Sequence, residues 1–283
     1  MCFLAAILGL SPHVAFAQEE DGSLWRDEWP QFRAIEGFFT TGALLGMLVF
    51  MRAGTATEPR WSGGILFDDA ARDALRLHTP QARRTAQKVG DVTYFMFPVI
   101  PIGVDVLISS LAVRQDTKAA LNLTLVSGEA FAYSGFLSFV VNWASARERP
   151  EVTGCRESNG GDVSKCNLLS RTESFYSGHT AMAATSAGVV CANHAYMPLW
   201  GHPAADAFAC ALASATAATT GMTRVLGDRH YMSDVILGSV MGFGIGYSVP
   251  TLLHYRVPGS VQDMRVVPGV EGSDFGLTVT GQF

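Results

Sequence analysis

The chain has 283 residues, a net charge of −5, and 16% charged side chains against 48% hydrophobic ones. Its mean hydropathy of +0.22 lies on the apolar side of ordinary soluble proteins, which points to a membrane protein or a tightly packed helical one. The small negative charge is spread out with no basic block, so a nucleic-acid partner is excluded and any ligand must be read from local sites.

The N-terminal stretch MCFLAAILGLSPHVAFAQEE has an apolar core, an Ala15-Phe16-Ala17 cleavage pattern and an acidic start beyond it. Residues 1–17 are therefore expected to be an export signal, whose removal takes Cys2 away and leaves four of the five cysteines in a compartment where disulfides form. Apolar segments follow at 34–53, 91–113, 119–142, 178–198, 203–222 and 232–254, most of them about the 20 residues that a bilayer-spanning helix needs. Between the first two lies a charged, amphipathic stretch suited to a surface helix. After the last, the Gly, Val and Thr of residues 261–283 predict a turn and a short strand rather than helix. The expected fold is all-α: a bundle of about six apolar helices within one domain over 18–258, with a short irregular C-terminal tail at 259–283.

Three charged stretches interrupt this pattern: NWASARERPEVTG at 142–154, SFYSGHTAMAA at 174–184 and TRVLGDRHYMSD at 223–234. Antiparallel helices with short connections bring all three to one end of the bundle. Arg149 and Arg224 offer planar, permanently charged forks that fit phosphate oxygens. Ser177 and Gly178 stand where a helix begins, and its free amides form an anion site. His230 and Asp234 are spaced i, i+4, so the carboxylate can hold one ring nitrogen protonated and leave the other free to attack. His179 is placed to protonate a leaving oxygen.

These residues resemble the type 2 phosphatidic acid phosphatase and vanadium haloperoxidase superfamily, whose motifs read Lys-x6-Arg-Pro, Pro-Ser-Gly-His and Ser-Arg-x5-His-x3-Asp. Arg149-Pro150 matches the end of the first, Ser177-Gly178-His179 the second, and Arg224, His230 and Asp234 the third. The resemblance implies a phosphohistidine at His230, oriented by Asp234, with His179 as general acid. Arg149, Arg224, Ser177, Gly178 and the residue at 142 would hold the phosphoryl oxygens, without a metal or other cofactor. The pattern is broken at Asn142 where the motif has lysine, at Tyr176 where it has proline and at Thr223 where it has serine. Losing the lysine removes a charge-assisted hydrogen bond typically worth about 1.5–3 kcal/mol. Arg147 could supply the charge, but five residues along a helix is about 140° around it.

The implied function is a lipid phosphate or pyrophosphate monoester phosphatase at the membrane. Alternatives are a soluble periplasmic acid phosphatase for small esters, a haloperoxidase using vanadate, and a non-catalytic phospholipid-binding homologue. Other polar groups have plainer expectations. Asp228 and Arg229 are taken as loop charge; His194, His202 and His254 as helix-end or interfacial residues; and Glu129 as a structural hydrogen bonder, with Tyr133 as its partner. Cys155 and Cys166 bracket the loop between the first two motifs, and Cys191 and Cys210 lie at similar distances from an intervening turn, so each pair is a disulfide candidate. Two oxidised ends and an external site are hard to reconcile with both a cleaved signal and six crossings. The expectation is an inner-membrane-associated protein of a bacterial-type envelope, its site facing the periplasm.

Overall fold

The computed structural model describes residues 23–162, 164, 166, 171–255, 265–271 and 274–280; the expected signal lies outside them. Eight α-helices occur among the described residues: α1 (Ala34–Ala53), α2 (Asp68–Leu75), α3 (Pro80–Phe95), α4 (Thr117–Ser145), α5 (Pro150–Ser158), α6 (Gly178–Tyr196), α7 (Pro203–Leu226) and α8 (Met232–Val249). Wider, π-type helical segments extend α3 through Val99–Val113 and α8 through Pro250–His254. The six apolar stretches all fold as helices, and the protein is all-α in its packed body. The tail, expected to hold one short strand, pairs as an antiparallel hairpin of β1 (Arg265–Glu271) with β2 (Asp274–Thr280).

Local chemistry sets several helix starts. Thr79 accepts from the Ala82 amide at 3.1 Å ahead of Pro80, and Asp116 accepts from Ala119 at 2.9 Å. Asp234, in the first turn of α8, reaches back to the Tyr231 amide at 2.9 Å.

Helix α6 forms the centre, buried continuously from Ala183 to His194. Its neighbour α8 approaches so closely that only glycine fits along the seam: a Cβ on Gly242 would stand 2.1 Å from the Ala181 carbonyl oxygen, and one on Gly246 2.1 Å from that of Thr185. Helix α1 is the opposite case, burying only Glu36 and Ala43 along its length. Four helical stretches, Ala34–Ala53, Pro80–Val113, Thr117–Ser145 and Met232–His254, are long and apolar enough to cross a membrane. Their outward side chains include Phe38 at 71%, Val49 at 64% and Val240 at 61% exposure. Apolar surface so extensive associates the chain with a membrane.

Several buried ionisable side chains meet one another inside the bundle. Glu129 accepts from the Tyr133 hydroxyl at 2.8 Å, as expected, and meets His254 Nε2 at 2.8 Å. His194 sits between Asp206 at 2.6 Å and Asp105 at 3.1 Å. These two histidines therefore have carboxylate partners contributed by other helices, which their sequence neighbours could not disclose. Cys155–Cys166 and Cys191–Cys210 are both disulfide-bonded.

Candidate active site

Helices α5, α6 and α8 all begin at the same end of the bundle, immediately after Arg149, Ser177 and Tyr231. Between them and α1 lies a cavity of about 400 Å³. Its polar end carries Asn142, Arg149, Gly178, His179 and His230; its walls are apolar, with Met47, Phe50, Phe139, Trp143 and Met182. In the first turn of α6 the amides of Ser177, Thr180 and Ala181 are taken by the Asp234 carbonyl, the Ser177 hydroxyl and the Ser177 carbonyl. Among the described residues this leaves the Gly178 and His179 amides as open donors at the positive end of a helix dipole.

His230 is buried, and its Nδ1 donates to the Ser174 carbonyl at 2.7 Å. That bond fixes the tautomer and leaves the Nε2 lone pair free. Asp234 is not the direct partner that the i, i+4 spacing suggests: its Oδ2 lies 3.9 Å from Nδ1. It binds instead the Ser174 hydroxyl at 2.7 Å and the Tyr231 amide at 2.9 Å, so it steadies the residue whose carbonyl holds the histidine. Burial, aided by the nearby Arg149 charge, pushes the His230 pKa well below the ordinary imidazole value. The ring is neutral at neutral pH.

Arg149 is buried, its Nε has no partner among the described residues, and the nearest carboxylate, Glu173, stands 3.8 Å away. Desolvation, with Arg229 nearby, depresses its pKa to about 10, so it remains charged. His179 lines the same cavity, packed on Tyr94 with ring centroids 4.4 Å apart. Burial, followed by the Arg224 charge, lowers its pKa to about 4. Arg224 is placed differently from the expectation of a free phosphate clamp. Its Nη2 donates to the Gln87 carbonyl at 2.7 Å and to Asp91 at 2.9 Å, and it does not line the cavity. Asp91 also lies 3.5 Å from His179 Nε2. Helix α3 comes this close because Gly90 faces the arginine: a Cβ there would be 2.2 Å from Nη2.

Ser177 is fully buried and caps α6, its hydroxyl accepting from the Thr180 hydroxyl at 2.9 Å, rather than lining the cavity. Asn142 does line it. Its Nδ2 donates to the carbonyls of Ser138 at 2.9 Å and Tyr176 at 3.0 Å, and its Oδ1 is buried without a partner among the described residues. The site thus presents an acceptor where the motif has an ammonium donor.

Residues 123–258 match the PAP2 superfamily. No curated protein matches the chain. Among solved structures, a transmembrane PAP2-type phosphatidylglycerolphosphate phosphatase from Bacillus subtilis shares 18% identity, with a TM-score of 0.47, covering 75% of this chain and 94% of that one.

All three PAP2 motifs fall inside the matched span, but two helices outside it also shape the site. Helix α3 supplies Gln87, Asp91 and Tyr94. The segment containing α2 supplies Asp68, on which Arg147 is anchored at 2.7 Å, and Arg72, which holds Asp228 at 2.7 Å. Asp228 is therefore a buried ion-pair partner and not loop charge, and Arg229 pairs with Glu151. Arg147 is fully buried as well. In sequence, Asp68 and Arg72 belong to the charged, amphipathic stretch expected as a surface helix, and nothing in their spacing marks this docking.

Proposed function

We propose that this chain is a PAP2-type phosphatase for lipid phosphate or pyrophosphate monoesters, working through a phosphohistidine at His230 without need of a metal. The observation that carries the reading is Arg149: a buried, charged guanidinium with an unsatisfied Nε, facing a mostly apolar cavity beside two open helix-terminal amides and two histidines. A buried cation of this kind calls for an anion. Apolar walls beside it, on a chain with four membrane-length helices among its described residues, favour an amphiphile over a small soluble ester.

In this reading the phosphoryl group binds Arg149 and the Gly178 and His179 amides. The His230 Nε2 lone pair attacks phosphorus as the P–O bond to the leaving group breaks. Protonated His179 gives its proton to the departing oxygen. Neutral His179 then takes a proton from water, whose oxygen attacks phosphorus; the P–N bond breaks, releasing inorganic phosphate. Arg224 keeps its Nη2 on Asp91 and the Gln87 carbonyl, and would join through its Nε, which has no partner among the described residues. The Cys155–Cys166 disulfide beside the site supports an oxidising, periplasm-like side for it.

The test is phosphate release from micellar phosphatidic acid and from p-nitrophenyl phosphate, with and without chelator. Expected are preference for the lipid, activity that survives chelation, complete loss in His230→Ala, and a fall of about 10²–10⁴-fold in kcat for His179→Ala. An inactive wild type, or one equalled by His230→Ala, would refute the reading.

A further inference from the structure

We propose that Asp68, which lies outside the PAP2-matched span, is a positioning residue for His230, acting through Arg147, Asp234 and Ser174. The inference rests on the reading of His230 as nucleophile, although the geometry stands independently of it.

The link is continuous and buried. The Arg147 guanidinium lies between the rings of Trp61 and Tyr231, 4.0 Å and 4.1 Å from their centroids, a stacking that fixes its plane. Within that plane it forks between two carboxylates, Nη2 donating to Asp68 at 2.7 Å and Nη1 to Asp234 at 2.5 Å. All three side chains are fully buried. Asp68 is held in turn by the amides of Ser233 at 2.8 Å and Ile65 at 3.0 Å. Beyond Asp234, Ser174 is clamped twice, its hydroxyl by Asp234 Oδ2 at 2.7 Å and its amide by the Arg147 carbonyl at 3.1 Å. Its own carbonyl takes the Nδ1–H of His230 at 2.7 Å.

The role of Asp68 follows from the preference of a guanidinium for bidentate carboxylate pairing. With a carboxylate on each arm, Arg147 engages only Oδ1 of Asp234 and leaves Oδ2 to Ser174 and Tyr231. Without Asp68, Arg147 has a single carboxylate left, and swinging Asp234 into a bidentate pair would draw Oδ2 off Ser174. The Ser174 carbonyl then loses its fixed aim, and His230 can place its proton on Nε2, the nitrogen that must attack. Arg147 is therefore not a replacement for the lysine missing at 142; its fork is already occupied.

The experiment uses full-length Asp68→Asn in detergent, compared with wild type by kinetics on a short-chain phosphatidic acid and by side-chain 15N NMR of His230, assigned with His230→Gln. Expected are a kcat lower by about 10–100-fold, as for misplacement of a reacting group by about an ångström, and a KM within about twofold of wild type. The His230 resonances should move from one tautomer to a mixture. Unchanged kcat with an unchanged tautomer would overturn the proposal, as would a KM rise accounting for the whole loss of kcat/KM. Should the wild type release no phosphate, the phosphatase reading fails while the tautomer still decides the relay. If Asp68→Asn does not fold, Ser174→Ala removes one hydroxyl and reads the same relay downstream: a tautomer mixture supports it, an unaltered one overturns it.

Discussion

Asn142 and His179 make the residue-scale chemistry of the site distinctive. Replacing Asn142 by lysine adds a donor where the cavity now offers only the Oδ1 acceptor. Because a charge-assisted bond contributes about 1.5–3 kcal/mol, Asn142→Lys should tighten competitive inhibition by inorganic phosphate by about tenfold, read directly from inhibition constants. The low pKa of His179, about 4, gives the pH dependence its sign. In the free site the protonated fraction of His179 rises about tenfold for each pH unit from 8 to 5, while the depressed pKa of His230 favours its neutral form. The proposed mechanism needs that combination of charges, so kcat/KM should climb on acidification through pH 8 to 5. A profile flat or falling over that range would contradict His179 as the acid. The motif histidines and Arg149 were legible in sequence because their spacing put them at helix starts. The true partner of His230 was not, since a backbone carbonyl from Ser174 leaves no mark in residue types.

At the scale of elements, the long helices were legible because uninterrupted apolar runs have few other solutions, and the polar helices lie at the surface as expected, but their inward pairings were missed because amphipathic faces look solvated. Helix α3 and the α2 segment turn some of their charges inward, Asp91 on Arg224, Asp68 on Arg147 and Arg72 on Asp228, pairings set by tertiary approach alone. The α6–α8 seam offers a direct test of packing. Gly242→Ala forces a Cβ against the Ala181 carbonyl and should lower stability by about 1–3 kcal/mol through overpacking. Gly244→Ala, on the same helix with nothing within 4 Å of the added carbon, should be neutral or gain up to about 1 kcal/mol from helix propensity. Thermal unfolding of the two variants in one detergent checks the contrast.

For the whole molecule, two depressed histidines imply acid sensitivity. Between about pH 6.5 and 4 the unfolded chain binds protons that folded His179 and His230 refuse, so stability falls as pH drops through that window. Chemical denaturation at pH 7 and pH 5 should show this, and His230→Gln should lessen the difference. The glycine seam has one more consequence, for traffic through the molecule. Two backbones in contact leave no slot for a hydrocarbon tail, so the flank between α6 and α8 is closed to substrate. A tail attached to a phosphoryl group at Arg149 must run out past Met47, Phe50 and Trp143, along α1, which buries only two of its residues. The doorway is hung on the least buried of the four membrane-length helices among the described residues, and chain-length preference should therefore be rewritten by changes in α1, leaving the chemistry intact.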